Sequence, residues 1–331
     1  MSKNMKNLLV VGKLGYHEKT IVEPLISELS KDFNVDRIGE SLDFFIPSKY
    51  GEMYSNYSKS IIDFKELEKY SVVLFVDFWN PLVPMYQMAK HFFNPDCKLV
   101  GICHGSYYIE GDVACDVKGA EEYENYLNQY YDLIIVPRQF LIELMGSRKN
   151  MKLCPFPMDI ALSGSPEFKY KRRVIYAHRY DYDKGNDLFE SFVKYCQNYA
   201  SEDIEFIVIG NCSEEQVSHM QDLGIDYRGY MTFEQQKELC KEGGYAWASV
   251  RSELMAYAVW HLVSFGLTPL LNDHPAYENF PNRFKYGYNS DALAIIEDSR
   301  VMTISEWERL KKTEEGNSSK ISKMIKDLVY V

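Results

Sequence analysis

The sequence predicts an α/β fold made of two doubly wound domains with parallel sheets. Three observations support this fold class. Short apolar runs of strand length alternate with helical stretches along the chain. The alternation is interrupted near the middle by a proline-containing segment. A length of 331 residues is enough for two domains that each bury their own core.

The first half contains five predicted strands. They cover residues 7–11, 35–38, 71–76, 98–103 and 131–137. A helix follows the first strand to about residue 31, a short helix covers 139–145, and a Tyr- and Ser-rich stretch over 47–60 is predicted to be a long loop. This order is typical of an open sheet with helices on both faces.

The second half repeats the alternation. Its predicted strands cover 174–177, 204–209, 225–230, 245–250 and 268–271, and its predicted helices cover 186–199, 233–242, 254–265 and 319–328. Pro155 and Pro157 make the segment 151–159 extended, so we expect the hinge there. The predicted domains are 1–155 and 156–315, and the C-terminal helix within 316–331 packs back on either of them.

Composition limits the classes of partner. The formal net charge of -11 argues against a broad polyanion-binding face, so nucleic acid is not the expected partner. Seven cysteines without a C-x-x-C pair fit reduced thiols better than a disulfide framework or a zinc site. The apolar run 8–11 is too short for a signal peptide, and no apolar stretch reaches membrane-spanning length. We therefore expect a cytoplasmic protein without a membrane span.

Two strand ends in the first half carry candidate ligand contacts. Gly12 and Gly15 follow the first strand, where glycines let a ligand approach the backbone, although they fall short of a G-x-G-x-x-G fingerprint. His104 and Gly105 follow the strand 98–103, at the edge where open α/β sheets bind ligands. Ligand contact and a structural hydrogen bond are both open for His104.

Two cations follow the first strand of the second half. Arg179 and Lys184 can point at one anion, and a leaving diphosphate needs such cations to neutralise its charge. Two solvated surface charges are the alternative. Asp181 and Asp183 form a D-x-D triplet, but they supply too few hard ligands for a metal. We expect these carboxylates to cap the next helix or to face solvent.

The stretch 245–273 reads as strand, turn, buried helix and strand. Ser252 is a plausible N-cap, and Glu253 lies in the first turn of the helix. The free amide groups of a helix start can hold an anion at the end of a parallel strand.

These motifs resemble those of the retaining GT-B glycosyltransferases, in particular family four. The matching positions, in chain order, are Arg179, Lys184, Gly185, Ile207, Val208, Ile209, Gly210, Tyr227, Arg228, Gly229, Tyr230, Ser252, Glu253, Gly266 and Pro269. The resemblance covers about residues 174–280, and the first half only by architecture. It implies two Rossmann-like domains that face a central cleft, with the donor bound mainly by the second domain and the acceptor mainly by the first.

The resemblance also implies roles for individual residues. Arg179 and Lys184 would hold the donor diphosphate, Glu253 would contact the sugar, and His104 would touch the sugar or the reacting hydroxyl. The family's second Glu, which holds the ribose, falls on His261, and the family's glycines after the first Glu are replaced by 254–256. His261 is either a ribose contact or a core histidine. The predicted donor-binding residues are Gly15, Arg179, Lys184, Gly210, Tyr230, Ser252, Glu253, Leu254 and His261; the predicted catalytic residues are His104, Glu253, Arg179 and Lys184.

The implied reaction is retaining transfer of a sugar from a nucleoside diphosphate to an acceptor hydroxyl. We expect no divalent metal and no cofactor besides the nucleotide-sugar donor. The acceptor is a glycan, a small molecule or a hydroxylated DNA base. Two alternatives stay open. A phage-type DNA glycosyltransferase acting on hydroxymethylated bases is compatible with the basic cluster Lys169, Lys171, Arg172 and Arg173, and a non-catalytic GT-B binding module is compatible with the lost second Glu.

Overall fold

A computed structural model of the chain describes residues 5–13, 18–41, 62–109, 115, 118–158, 162, 166–251, 253 and 257–330. The chain divides into two compact units. Unit 1 contains residues 1–159 and 316–331, and unit 2 contains residues 160–315. Each unit is built on one parallel sheet, as the fold class requires.

The sheet of unit 1 has six parallel strands in the order β2-β1-β3-β4-β5-β6. The strands are β1 Lys6–Lys13, β2 Phe33–Ser41, β3 Tyr70–Phe75, β4 Lys98–Ile102, β5 Leu133–Val136 and β6 Met151–Leu153. The central strands are continuous apolar runs because both faces of a parallel sheet are covered. All five strands predicted in this half are confirmed, with small shifts at their ends.

Helices cover this sheet. A π-helical turn, Glu18–Val22, leads into α1 Glu23–Leu29, and a 3-10 turn, Phe64–Lys69, precedes β3. The next helices are α2 Val83–Phe93, α3 Ala120–Asn128 and α4 Gln139–Leu144. The last of these confirms the short helix predicted over 139–145. The predicted loop 47–60 lies outside the described residues.

Unit 2 has five parallel strands in the order β11-β10-β7-β8-β9. They are β7 Arg173–Tyr176, β8 Glu205–Val208, β9 Asp226–Tyr227, β10 Tyr245–Trp247 and β11 Thr268–Leu270. Its helices are α5 Asn186–Tyr199, α6 Glu214–Asp222, α7 Phe233–Cys240, α8 Tyr257–Ser264, α9 Asn289–Glu297 and α10 Ile304–Glu314. Short 3-10 turns cover Tyr182–Lys184, Pro275–Tyr277 and Asn282–Phe284.

The order of strands in unit 2 contains a topological switch point. The chain winds outwards from β7 through β8 to β9, then returns to the other side of β7 with β10 and β11. The loops after β7 and β10 therefore start from adjacent strand ends. Open α/β sheets bind their ligands at the strand ends of such a switch point.

The final helix, α11 Asn317–Tyr330, lies on unit 1. Lys326 Nζ contacts Asp32 Oδ1 at 2.5 Å, and Ser319 Oγ donates to Glu28 Oε1 at 3.0 Å. The Asn317 amide donates to the Phe156 carbonyl at 3.1 Å. Helix α11 thus packs on unit 1, although its residues are distant in sequence from the rest of that unit.

Three predicted boundaries need correction. Residues 151–153 are not part of a hinge, because they form β6 and pair with β5, whose outer edge would otherwise have unpaired backbone groups. The strand predicted over 225–230 is limited to Asp226–Tyr227 because Gly229 turns the chain at φ +68°. The strand predicted over 245–250 ends at Trp247, after which Val250 bonds to the Asn272 side chain.

All seven cysteines are free, in agreement with the prediction of reduced thiols. Of the helices in the described ranges, none is long and apolar enough to cross a membrane.

Gly101 in β4 leaves no room for a side chain. A Cβ at this position would lie 2.8 Å from Tyr131 Cε1 and 2.9 Å from Phe78 Cβ. Neither group can retreat easily, because the Tyr131 hydroxyl donates to the Phe78 carbonyl at 2.7 Å. A side chain at residue 101 would therefore overpack the core.

We predict that Gly101→Ala lowers the free energy of unfolding by about 2 kcal/mol, the usual cost of overpacking a core. Urea unfolding measures the change. Gly287→Ala is the matched control, because its Cβ would meet nothing nearer than 3.9 Å and the change should cost much less. Equal stability of the two variants would contradict the packing described for β4.

Candidate functional site

The loop after β7 is shaped by one buried side chain. The Tyr176 hydroxyl lies 2.7 Å from the Arg179 carbonyl and 3.1 Å from the Lys184 carbonyl. Burial raises the pKa of Tyr176, so the hydroxyl keeps its proton and remains a donor. Arg179 and Lys184, the two predicted phosphate cations, thus lie on a loop whose backbone is held by a tyrosine of strand β7.

Gly185 holds the loop after β7 against the loop after β10. Its φ is +72°, and a Cβ here would lie 2.5 Å from the Ser249 carbonyl oxygen. Only glycine fits this backbone and this close approach. The Arg251 amide also donates to the Asp183 carbonyl at 3.1 Å. The two loops therefore meet at the switch point of unit 2.

The two predicted cations have carboxylate partners in the structure. Arg179 is 62% exposed and contacts Asp181 Oδ2 and Asp183 Oδ2 at 3.0 Å each. Lys184 is 19% exposed and lies 3.4 Å from Glu253 Oε2 and 3.6 Å from Asp183 Oδ2. The contact between Lys184 and Glu253 joins two residues that the sequence assigned to the donor.

Asp181 and Asp183, the D-x-D carboxylates, do not cap a helix. Neither caps the next turn, since both bind the Arg179 guanidinium. Two cations and three carboxylates, counting Glu253, give this cluster a formal charge of -1. Any anion that approaches Arg179 would therefore compete with Asp181 and Asp183 for the guanidinium.

His178 is a member of this site that the sequence analysis missed. It lies two residues beyond the end of β7 and is only 7% exposed. Burial lowers the pKa of His178 to about 4, and the nearby Glu253 carboxylate only partly opposes the shift. The imidazole is therefore neutral at pH 7. Its place one residue beyond the predicted strand 174–177 was the only signal in the sequence.

Two further side chains interact with the charge of Glu253. The Tyr277 side chain, in the 3-10 turn after β11, is fully buried, and burial together with the Glu253 charge raises the pKa of Tyr277. Burial lowers the pKa of His274, again partly opposed by Glu253. Ser249 Oγ hydrogen-bonds to the hydroxyl of the buried Tyr286. His274 and Tyr277 thus both interact electrostatically with the Glu253 carboxylate.

The predicted donor residues Gly210 and Tyr230 lie at the neighbouring strand ends. Gly210 follows β8 with φ +131°, and its amide donates to the Gly229 carbonyl at 2.9 Å. The Tyr227 hydroxyl donates to the Gly210 carbonyl at 2.9 Å. Tyr230 is 67% exposed, so its ring is available to a ligand.

His261 lies on α8 among aromatic side chains. The Phe233 ring meets it edge-on at 5.2 Å, and the Phe265 ring lies 6.5 Å away with a tilt of 30°. His261 is half-buried on this surface. An imidazole beside Phe233 therefore occupies the position where the resemblance implies a ribose-binding carboxylate.

The remaining candidates lie elsewhere. Gly15, Ser252 and Leu254 are outside the described residues, so their roles stay predictions. His104 belongs to unit 1, where its ring stacks on Phe156 at 4.6 Å.

The loop after His104 is fixed by a buried carboxylate on α3. Glu124 accepts hydrogen bonds from Ser106 Oγ at 2.8 Å and from the Tyr107 amide at 2.9 Å. Glu124 is fully buried. This clamp gives the His104 loop a defined path beyond the end of β4.

Within the described ranges, no group of three His, Cys, Asp or Glu side chains could hold a metal ion.

Comparison with solved structures identifies the architecture. The sucrose-phosphate synthase of Thermosynechococcus elongatus aligns with a TM-score of 0.71 and 11% identity, over 98% of this chain and 99% of that chain. The E. coli trehalose-6-phosphate structure bound with UDP-2-fluoro glucose aligns with a TM-score of 0.64 and 11% identity, over 98% and 99%. TarM aligns with a TM-score of 0.60 and 12% identity over 78% of this chain. The alignment covers 55% of the length of TarM.

No protein-family model matches the sequence, and the search of curated proteins gives no match. At identities of 11 to 12%, the structural similarity shows the fold alone. That fold is the GT-B fold of two Rossmann-like domains, and the predicted fold class is confirmed.

We predict that His178 makes the protein less stable in acid. Its pKa is about 4 when folded and about 6.5 when unfolded, so the unfolded chain takes up the proton first as the pH falls. The stabilisation is fully present above pH 6.5 and is lost on the way to pH 4. Urea unfolding at pH 7 and pH 4.5 should show a decrease about 2 to 3 kcal/mol larger for the wild type than for His178→Gln. Equal decreases would contradict a buried, neutral His178.

Proposed function

We propose that this chain is a glycosyltransferase that moves a sugar from a nucleoside diphosphate to an acceptor hydroxyl. In the proposal the anomeric configuration is retained and no divalent metal takes part. The observation that carries it is the meeting of Lys184 and Glu253 at 3.4 Å, on two loops that diverge at the switch point. One loop supplies cations for a diphosphate, and the other supplies a carboxylate for a sugar.

The similar structures support the class of donor. One of them is bound with UDP-2-fluoro glucose, a nucleotide sugar. We infer that this chain binds a nucleotide sugar at the strand ends of unit 2. The acceptor would be bound mainly by unit 1, and we assign the protein to the cytoplasm.

Arg179 and Lys184 would stabilise the leaving diphosphate. The bond to the anomeric carbon breaks with its electron pair on the phosphate oxygen, so negative charge grows there during the reaction. Cations already held near that oxygen lower the barrier without reorganisation. They would also make a metal ion unnecessary, although the aspartates on Arg179 reduce the effective charge.

Glu253 would orient the donor sugar. A carboxylate can accept hydrogen bonds from two neighbouring hydroxyls, which fixes the ring relative to the bond that breaks. Its side chain is only 17% exposed, so these bonds would form in a largely dry environment where they are strong.

His261, beside Phe233, would contact the nucleoside. A neutral imidazole accepts one hydrogen bond where a carboxylate accepts several, so it would hold a ribose less firmly. The exposed Tyr230 would offer a ring face to the base. His104, on unit 1, would contact the sugar or the acceptor hydroxyl.

The surface that is compatible with a DNA substrate argues for that alternative less than its sequence does. Carboxylates pair with each member of the basic cluster. Lys169 pairs with Glu167, Lys171 and Arg173 pair with Glu205 and Glu242, and Arg172 pairs with Glu202 and Glu297. Arg173 is also buried, so this surface is not a free basic face.

A non-catalytic binding module is the second candidate, because His261 replaces a carboxylate. A screen of nucleotide sugars, with product masses as the readout, separates the two candidates. Release of the nucleotide from any donor supports the enzyme. Binding without hydrolysis or transfer in the presence of acceptors would support the module.

We predict that Arg179→Ala and Lys184→Ala each lower kcat/KM for the donor by about 100-fold, or about 3 kcal/mol, as expected for groups that stabilise transition-state charge. Arg300→Ala is the matched control. Arg300 is also an exposed arginine of unit 2 paired with an aspartate two residues away, so its loss should change kcat/KM less than twofold. Wild-type kinetics in both site variants would remove the phosphate assignment.

We predict that Asp181→Asn tightens donor binding about threefold, because it removes a carboxylate that competes for Arg179 at a largely exposed pair. Titration calorimetry with the preferred donor measures the affinity. Asp298→Asn, which removes the partner of Arg300, should leave it unchanged. Weaker binding by Asp181→Asn would show that Asp181 supports the donor.

A further inference from the structure

Two buried polar atoms near Glu253 lack hydrogen-bond partners among the described residues. They are His178 Nε2 and the Tyr277 hydroxyl. His178 is 7% exposed and Tyr277 is fully buried. They come from different parts of unit 2, one at the end of β7 and the other in the turn after β11. Both interact electrostatically with the Glu253 carboxylate.

Such atoms require a physical reason. Leaving a buried donor unsatisfied costs about 1 to 3 kcal/mol, and most buried polar groups in native proteins are paired. Two of them beside one carboxylate, on separate elements, indicate that the arrangement serves a second state of the site.

The contact between Lys184 and Glu253 shows what that second state is. Their distance of 3.4 Å exceeds the roughly 2.8 Å of a strong charge-assisted hydrogen bond, and Lys184 also lies 3.6 Å from Asp183. Lys184 therefore lies within ion-pair distance of two carboxylates, those of Glu253 and Asp183. To neutralise a diphosphate, its ammonium group has to turn away from Glu253.

When Lys184 turns away, the Glu253 carboxylate, whose side chain is 17% exposed, loses a nearby cation. A charge in such a place is costly unless other donors face it. His178 and Tyr277 are suited to this task, because each can donate one hydrogen bond and neither adds a charge.

We propose that His178 and Tyr277 are positioning residues that donate hydrogen bonds to Glu253 when Lys184 turns to the donor diphosphate. This inference rests on the proposed function. The imidazole N–H and the phenolic O–H replace the lysine, so Glu253 keeps its charge and its orientation towards the sugar. Both groups hold their neutral, donating forms at pH 7, since burial lowers the pKa of His178 and raises that of Tyr277.

The mechanism makes the two residues important for ligand binding and unimportant for stability. Without a diphosphate, Lys184 still faces Glu253, and removing an unpaired buried hydroxyl is neutral or slightly stabilising. With a diphosphate bound, a variant that lacks the donor leaves Glu253 less well compensated. The free-energy cost then appears as weaker binding.

The test is a double-mutant cycle on the full chain, read by titration calorimetry. UDP, GDP, ADP, CDP and dTDP are titrated first into the wild type, and the tightest binder is used afterwards. Tyr277→Phe and His178→Leu should each weaken its binding about tenfold. In a Glu253→Gln background, where the charge is gone, the same changes should have less than a twofold effect.

Two controls separate this role from a structural one. His178→Gln keeps an N–H donor near the position of Nε2, so its affinity should stay within about threefold of the wild type. The melting temperature of Tyr277→Phe should not fall. Equal losses of affinity with and without Glu253, or no loss in either background, would overturn the inference while leaving the proposed function intact. If the wild type binds no nucleoside diphosphate, the proposed function fails and the inference fails with it.

Discussion

The parallel pairing of β7 with β10 is the interaction on which the site depends. It places Val174 beside Tyr245, residues far apart in the chain, and so brings two strand ends together at the centre of the sheet. The loops that follow these strands leave in opposite directions, and Gly185 lets them touch at the Ser249 carbonyl. Lys184 and Glu253 meet as a result of this packing. The chemistry of the site thus follows from backbone hydrogen bonds formed well below it.

Electrostatic balance is the second constraint. The site holds two cations, but three carboxylates offset them, and the nearby histidine is neutral because burial lowers its pKa. Without a bound ligand, an excess of positive charge in this cluster would make its cations repel each other at short range. The carboxylates remove this repulsion, and in the proposed function a diphosphate would have to take the cations from them. Binding would then be an exchange of partners, in which groups such as Tyr277 become important only after the exchange.

The sequence was sufficient to locate most of the strands. Apolar runs located ten of the strands, and the helix predicted over 186–199 has the observed bounds. The sequence did not lead to a prediction of α6, although the Ser213 and Gln216 capping box was readable. It did not lead to a prediction of β6 either, because three residues carry too little periodicity. His178 was missed because sequence does not show burial. Of the two roles expected for Asp181 and Asp183, capping is not observed, and their contacts with Arg179 were not predicted, since a D-x-D triplet does not reveal which cation lies within reach.

The central claim is that unit 2 binds a nucleoside diphosphate at its switch point through Arg179 and Lys184. A crystal structure of the full chain with the preferred nucleoside diphosphate tests it most directly. The account predicts diphosphate oxygens about 3 Å from Lys184 Nζ and from the Arg179 guanidinium, with the distance from Lys184 to Glu253 longer than 3.4 Å. A diphosphate bound away from the ends of β7 and β10, with Lys184 still on Glu253, would contradict it.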